Sequence, residues 1–505
     1  MAPLAERIVR HLARPTGTFG GALQGRPRYR PHQGGAFAVM SVPAMLVMLA
    51  MCGLAIDIGM IYNRKVELHG IAKTVALAAV RELDGTADGI TRALGAGRTA
   101  ASAHTYRYGV AIPWLDSAIS FSTTPGPGAE WISDATARSR PAAVFYVKVD
   151  TSALDSAVGT VGTIFMPVIY GAIGSGEVSD KAVAGRSALN VTPFAVCAMS
   201  AVPGAGRTNS TGNSELVEYG FRRGVTYDLM ALNPNGTTPV NFVVDPVSPP
   251  GGLGATDNTS AGTVAPFICT GRMWTPRVTG GAIRVTSPFP IGSLYQHLNS
   301  RFDDYSGGSC NPHGAPPDFN IKAYAYDVTN GIPWMNPKPT SHSAAPQVDG
   351  ARLQTVADSS SAPASAGMYG PLWSYARAVK FSTYREGVAE PTGGYPRFAT
   401  SDWSKLYPSG PSATSYPSSN PYFATSGNMY LAPRSTHLSI SEQNRRVLHI
   451  PLLSCPVSAG TNVGATALAV GKFFMTVPAT PTSLFAEFVG IAHESTIPGQ
   501  VTLYP

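Results

Sequence analysis

Charge is scarce in this chain. Only 13% of its 505 residues are Asp, Glu, Lys or Arg, which leaves few groups for acid–base chemistry. Catalytic signatures are missing too. There is no G-x-x-x-x-G-K-[ST] phosphate loop, no H-E-x-x-H zinc pair and no G-x-S-x-G nucleophile elbow. What remains are fragments. Gly95 to Ala100 fits the loose form G-x-G-x-x-A, but it lies in an alanine-rich helical stretch with no strand before it, so it reads as chance. His493-Glu494 is half a zinc motif, and Asp303-Asp304 reads as a solvated turn. No catalytic, cofactor-binding or metal-binding residue is assigned. The pairs Arg222-Arg223 and Arg445-Arg446 are too small to form a nucleic-acid footprint, and no nucleic-acid partner is expected.

Cysteine is also rare, and its distribution is informative. Of five, Cys52 sits inside an apolar run, and Cys197, Cys269, Cys310 and Cys455 all follow it. No C-x-x-C or Cys/His pair supports zinc; only His313 lies near Cys310. An even set in an exported region points to two disulfides. Four cysteines allow three connectivities, and the sequence does not choose among them. The working expectation is Cys269–Cys310 locally and Cys197–Cys455 closing the domain.

What is present in strength is one long apolar run. Ala36 to Ile56 is 21 residues without a formal charge, enough to cross a hydrocarbon core roughly 30 Å thick as a helix. Arg7, Arg10, Arg14, Arg26, Arg28 and Arg30 precede it, against a single acid, Glu6. Arginines beside a span stay cytoplasmic, so the tail is expected inside and the bulk of the chain outside. The run exceeds a signal-peptide core and lacks an A-x-A-like site, so a retained anchor is expected. Pro43 falls within the span, where membrane helices tolerate it. Asp57 sits at the outer end. It reads as an interfacial carboxylate reaching water, with pairing to another membrane helix as the other reading. Val158 to Ile173 is too short and too broken by Gly and Pro for a second span.

Beyond the span, Ile61, Leu68 and Val75 recur seven apart, with Ile71 and Ala78 beside the same stripe. That is helical periodicity. One long helix is expected, half in lipid and half in water, stopping near Asp84-Gly85. A second helix follows over residues 90–106. Strands are expected at 118–122, 142–149 and 177–190, with a helix over 153–173. From residue 191, Gly, Pro, Ser, Thr, Asn and Tyr dominate between short apolar runs: 193–197, 240–244, 265–269, 282–285, 321–326, 447–453 and 472–477. This spacing predicts β-rich structure. Residues 335–425 lack pattern but keep Trp373, Trp403 and many tyrosines, which predicts long ordered loops rather than disorder.

The residues Gly34-Gly35-Ala36-Phe37-Ala38-Val39-Met40, the apolar run, and Gly53-Leu54-Ala55-Ile56-Asp57-Ile58-Gly59-Met60-Ile61-Tyr62 resemble the N-terminal segment of TadG-like proteins. Those belong to the Tad (tight adherence) systems that assemble Flp-type pili in bacteria. The stretch Val66-Glu67-Leu68 through Ala72 to Ala76-Leu77-Ala78-Ala79 is similar to the alanine-rich helix of that family. The resemblance covers about 50 residues. It implies an inner-membrane protein with a periplasmic domain that helps build or anchor an adhesive pilus. Two departures limit it. Pilins are cut after a Gly with Glu at the fifth position beyond, and here Met40 or Val39 stands there. Many relatives carry a von Willebrand A domain. Asp358-Ser359-Ser360-Ser361-Ala362 approaches its D-x-S-x-S metal site, yet ends in Ala362.

The expected architecture is therefore α+β. A basic cytoplasmic tail covers 1–35, a transmembrane anchor 36–62, a small pilin-like α/β module 63–190, and a large disulfide-stabilised β-rich periplasmic domain 191–505. The anchor helix is expected to pack on partner helices through Ala72, Ala76 and Ala79. The expected partners are the membrane and other pilus-assembly proteins or pilus subunits, with no cofactor. An exported adhesin binding surface glycans through aromatic loops is the alternative. A periplasmic enzyme would need Asp303, His313 and His493 to converge.

Overall fold

A computed structural model describes residues 34–83, 86–107, 109–126, 128–141, 144–171, 174–208, 214–247, 258–280, 282–308, 310–326, 332–388 and 390–504. The six tail arginines and the Asp84-Gly85 stop lie outside the described residues. In chain order the helices used below are α1 (Gly34–Arg81), α2 (Ala87–Ser102), α3 (Met166–Tyr170), α4 (Ala261–Thr270) and α5 (Ile291–Asn299). The strands are β1 (Ile119–Ser122), β2 (Tyr146–Asp150), β3 (Lys181–Leu189), β4 (Phe194–Cys197), β5 (Thr226–Asp228), β6 (Asn241–Val244), β7 (Ala282–Thr286), β8 (Val447–Leu453), β9 (Val463–Met475), β10 (Phe485–Ala492) and β11 (Gly499–Tyr504).

Helix α1 runs 48 residues without interruption through Pro43, roughly 70 Å at 1.5 Å per residue. Its last turn tightens, with Glu82 N–H on the Ala79 carbonyl and Leu83 N–H on that of Val80. The first part is apolar all round. Met40, Met45, Leu46, Met48 and Met51 are each more than 60% exposed. An all-round apolar helix has no stable face toward water, and this one is long and apolar enough to cross a membrane. Residues up to Ile61 group with 162–176 as one unit; residues 62–161 and 177–505 form the other.

In the larger unit, the second part of α1 buries Leu68, Ile71, Ala72, Val75, Ala76, Ala79 and Val80. Their cover is α2 and a four-stranded antiparallel sheet of order β11-β3-β2-β1. Thr86 caps α2 by accepting the Gly89 N–H at 3.0 Å, and Ile90, Ala93, Leu94, Gly97 and Ala101 form its buried stripe. At Gly97 an added Cβ would sit 2.6 Å from the Ile119 side chain. The expectation that Ala72, Ala76 and Ala79 serve partner helices is thus corrected. All three are fully buried in the protein's own core. Small residues at helical spacing permit close approach, but spacing does not say of what.

The long helix expected over 153–173 is also corrected. Residues 151–162 form a short 3-10 turn, a single helical turn at Ser156–Gly159 and a three-residue strand, and α3 is the one helix that follows among the described residues to 171. The glycines at 159, 162 and 171 segment it. The run 265–269, read as a strand, lies in α4, which carries Pro266 inside it and is capped by the Ser260 hydroxyl. The run 321–326 forms neither helix nor strand, and is tied down by the Ile321 N–H on the Leu431 carbonyl and the Tyr324 N–H on the Thr476 carbonyl.

The remaining strands build the β-rich core in the order β5-β10-β9-β7-β6-β4-β8, and β8 returns to pair with β9. Five strands (β9, β7, β6, β4 and β8) therefore close into a ring. Closure relies on the 13-residue β9, which pairs with β7 over 463–466 and with β8 over 467–474. The strands bury both faces. Phe194, Val196, Val243, Leu448, Ile450 and Leu452 enter one core, while Ala195, Cys197, Phe242, Val244 and Leu453 enter another. Between β7 and β8 the described residues carry α5, a hairpin at 346–355 and several short 3-10 turns, held together by aromatics. Trp334, Trp373, Tyr407 and Tyr422 are fully buried, and Trp373 Nε1 donates to the Tyr407 hydroxyl at 2.8 Å.

The boundary drawn at 190/191 does not separate compact units. Strand β11, from the far end of the chain, pairs with β3, and Leu189 exchanges backbone hydrogen bonds with Met273. The disulfides are Cys197–Cys455 and Cys269–Cys310.

Candidate functional site

Two places gather polar groups for which fold alone gives no obvious need. The first is the outer end of the apolar helix. Asp57 is fully buried. Its carboxylate accepts the backbone N–H groups of Ile164, Phe165 and Met166 at 2.9, 2.8 and 2.7 Å. Neither sequence reading of Asp57 holds within this chain: it does not reach water, and its bonds go to its own backbone. One turn earlier, Gly53 leaves room for the Phe165 ring, with which any Cβ would collide. No spacing rule links residue 57 to residue 164, so their meeting was not legible in the chain.

The second is a cleft of about 620 Å³ in the β-rich unit. Tyr219, Tyr384, Tyr395, Lys472, His449 and His493 are among the residues that line it. Arg223 organises its edge. The guanidinium donates to Glu218 at 2.7 and 3.0 Å and to Glu390 at 2.9 Å through two nitrogens, and lies 5.3 Å from the Tyr395 ring centre. Burial would raise Glu390, yet the bonds and charge of Arg223 overcome it and hold the carboxyl below its ordinary value. Arg223 reaches both acids by passing Gly490, which has φ +123° and where a Cβ would sit 2.6 Å from the guanidinium carbon.

Lys472 is the one charged residue in strand β9. Burial, and then Arg223, lower its pKa, and no ion pair within 4.0 Å is formed by it among the described residues. His449 is pushed down to about 4, first by burial and then by Lys472, against a bond to the Asn190 backbone. A lone lysine in an otherwise apolar strand was the available sequence signal for this cleft. The tyrosines come from separate loops and had none.

Other candidates have structural partners. Asp303 accepts the Arg434 N–H at 2.6 Å and contacts His437 Nδ1. His313 is exposed in a turn closed by Asn311. His493 lines the cleft. These three do not share partners. Asp358 accepts from the Tyr227 and Thr355 hydroxyls at 2.8 and 2.6 Å, so it ties loops together. No cluster of three or more His, Cys, Asp or Glu fit to hold a metal ion occurs among the described residues. Both arginine pairs point inward. Arg222 makes a buried fork with Glu215, and Arg446 donates to the carbonyls of Asn320, Lys322, Met475 and Thr476 between Phe302 and Phe474. No protein-family model, curated protein or solved structure matches the chain.

Proposed function

We propose that this chain is a membrane-anchored envelope protein that acts by binding, as a component of a Tad/Flp-type pilus assembly system. The tail stays cytoplasmic, the span lies in the bacterial inner membrane, and the large domain stands in the periplasm. The observation that carries the reading is the continuity of α1. One helix is apolar all round at its start and then becomes the central core helix of a domain with two disulfides. That arrangement suits a domain fixed to a membrane on its oxidising side. The resemblance over residues 34–79 supplies the pilus system, and the partners are assembly proteins or pilus subunits.

The test is an affinity pull-down of the full chain from cross-linked bacterial envelopes, with mass spectrometry of the partners and of the mature N-terminus. Recovery of pilus-assembly proteins with an intact arginine tail is the expected result. A processed chain in the medium without such partners would overturn it.

The tyrosine-lined cleft favours a second reading, an adhesin that takes a glycan there. Tyrosine rings offer apolar faces to sugar rings and hydroxyls to their edges. Glycan-array binding by the full chain, lost on Tyr384→Ala, would support it; no binding to any glycan would remove it.

A further inference from the structure

Residues 156–176 contain no charged side chain. Within them, Ile164 is 62% exposed, Phe165 37% and Val168 83%. Apolar side chains are thus presented outward by a segment that is pinned to α1. The pin fixes where along α1 it lies. Ile164, Phe165 and Met166 are held at Asp57, and the Phe165 ring fills the space over Gly53, one turn further into the apolar run. Helix residues at that level, Ile56 and Ile58, are themselves about half exposed. Phe165 therefore shares the depth of the last turn of the apolar run.

Backbone satisfaction points the same way. A segment in lipid must pair its own N–H groups, since no water is there to do it. Thr163 N–H bonds to the Gly174 carbonyl, Val168 to Phe165 and Gly171 to Pro167. Asp57 takes the next three, at 164–166. Pro167 has no N–H to satisfy. A water-exposed loop has no need to spend a buried carboxylate on three amides. A segment leaving water does, and the same contact gives the carboxylate three amide donors in place of water.

We propose that residues 163–171 form an interfacial lipid-binding element, seated in the outer leaflet beside the span and latched to it by Asp57. The ligand is the headgroup–acyl boundary of the bilayer, entered by Ile164, Phe165 and Val168, in the manner of short amphipathic elements that lie in the membrane plane. The protein would then hold the membrane at two points, the span and this element, which limits rotation of its anchor. The inference rests on the reading of α1 as a membrane span.

The test keeps the two separable. The full chain, with Cys52→Ala removing the free thiol, is reconstituted in phospholipid nanodiscs with a nitroxide on Val168→Cys, Leu46→Cys or Val348→Cys. Leu46 is an exposed span residue, and Val348 an exposed residue of the hairpin at 346–355. Relaxation by oxygen reports lipid, and relaxation by a water-soluble nickel chelate reports water. The expected result is that position 168 is lipid-like, with oxygen the stronger relaxant, but shallower than position 46, and that Asp57→Ala moves 168 toward the values at 348. If 168 matches 348 while 46 stays lipid-like, the element is aqueous and the proposal fails with the span intact. If 46 is also aqueous, the span reading fails and takes the proposal with it. Shielding of 168 from both reagents means protein cover and overturns the lipid assignment.

Discussion

The ring of Tyr504 stands edge-on to that of Tyr146, with centroids 5.1 Å apart and planes at 86°. The two residues lie on β11 and β2, on either side of β3, and Tyr504 also donates to the Arg186 carbonyl at 3.1 Å. The far end of the chain thereby completes the sheet that covers α1. Removing β11 strips the ladder from one edge of β3, and an open edge invites pairing with other chains. We expect deletion of residues 499–505 to raise aggregation and protease sensitivity near β3. Tyr504→Ala alone is expected to cost about 1–2 kcal/mol, read as a lower unfolding midpoint.

Arg222 and Glu215 are both essentially unexposed and paired at 2.8 Å. Removing one partner leaves a buried charge without its counterion. Glu215→Gln or Arg222→Met should each destabilise by about 3–5 kcal/mol, while the double change to apolar residues should recover part of the loss. A double-mutant cycle in denaturant measures it, and simple additivity would count against the pair.

Cys197–Cys455 spans 258 residues and Cys269–Cys310 spans 41. In the chain-entropy view the longer loop constrains the unfolded state more, with typical losses of about 2–5 kcal/mol on removal. Paired serine substitutions at 197 and 455 should therefore lower the unfolding midpoint further than those at 269 and 310. Non-reducing peptide mapping checks the connectivity itself.

His449 has a folded value near 4 against 6.5 when unperturbed. Between those limits the unfolded chain binds more protons than the folded one, so stability rises with pH across that window. The contribution is complete above about pH 6.5 and is lost on acidification toward 4. His449→Gln should flatten this part of the stability profile. An unchanged slope between pH 4 and 6.5 would show that His449 does not titrate as its burial demands.

Gly490→Ala should act through Arg223. The position has φ +123°, and its Cβ would meet the guanidinium. Backbone strain of about 1–3 kcal/mol is expected, together with displacement of Arg223 from Glu218 and Glu390. Thermal unfolding reads the first, and a crystal structure of the variant reads the second.

Features with a local cause were legible in the amino-acid order. A run of 21 uncharged residues requires an apolar surrounding wherever it sits, and the seven-residue recurrence after it requires one buried helix face. Alternating or continuous apolar runs between turn residues placed β4, β6, β7 and β8 close to where they lie, but the run at 472–477 caught only the end of β9. Four late cysteines announced cross-links, and the aromatics of 335–425 announced order in the absence of pattern. Tertiary structure alone decided what each buried face meets. Ala72, Ala76 and Ala79 carry the same spacing whether they pack on a foreign helix or on α2. Asp57 carries the same charge whether it faces water or three amides that arrive from residues 164–166. Helix α4 overrode a strand-like run because a serine cap and the surrounding core favoured a helix there. The closure of the five-stranded ring, the return of β11 and the meeting of Tyr219, Tyr384, Tyr395 and Lys472 in one cleft depend on contacts between residues far apart in the chain. Periodicity records only how neighbouring residues face, so nothing in the linear order encodes such meetings.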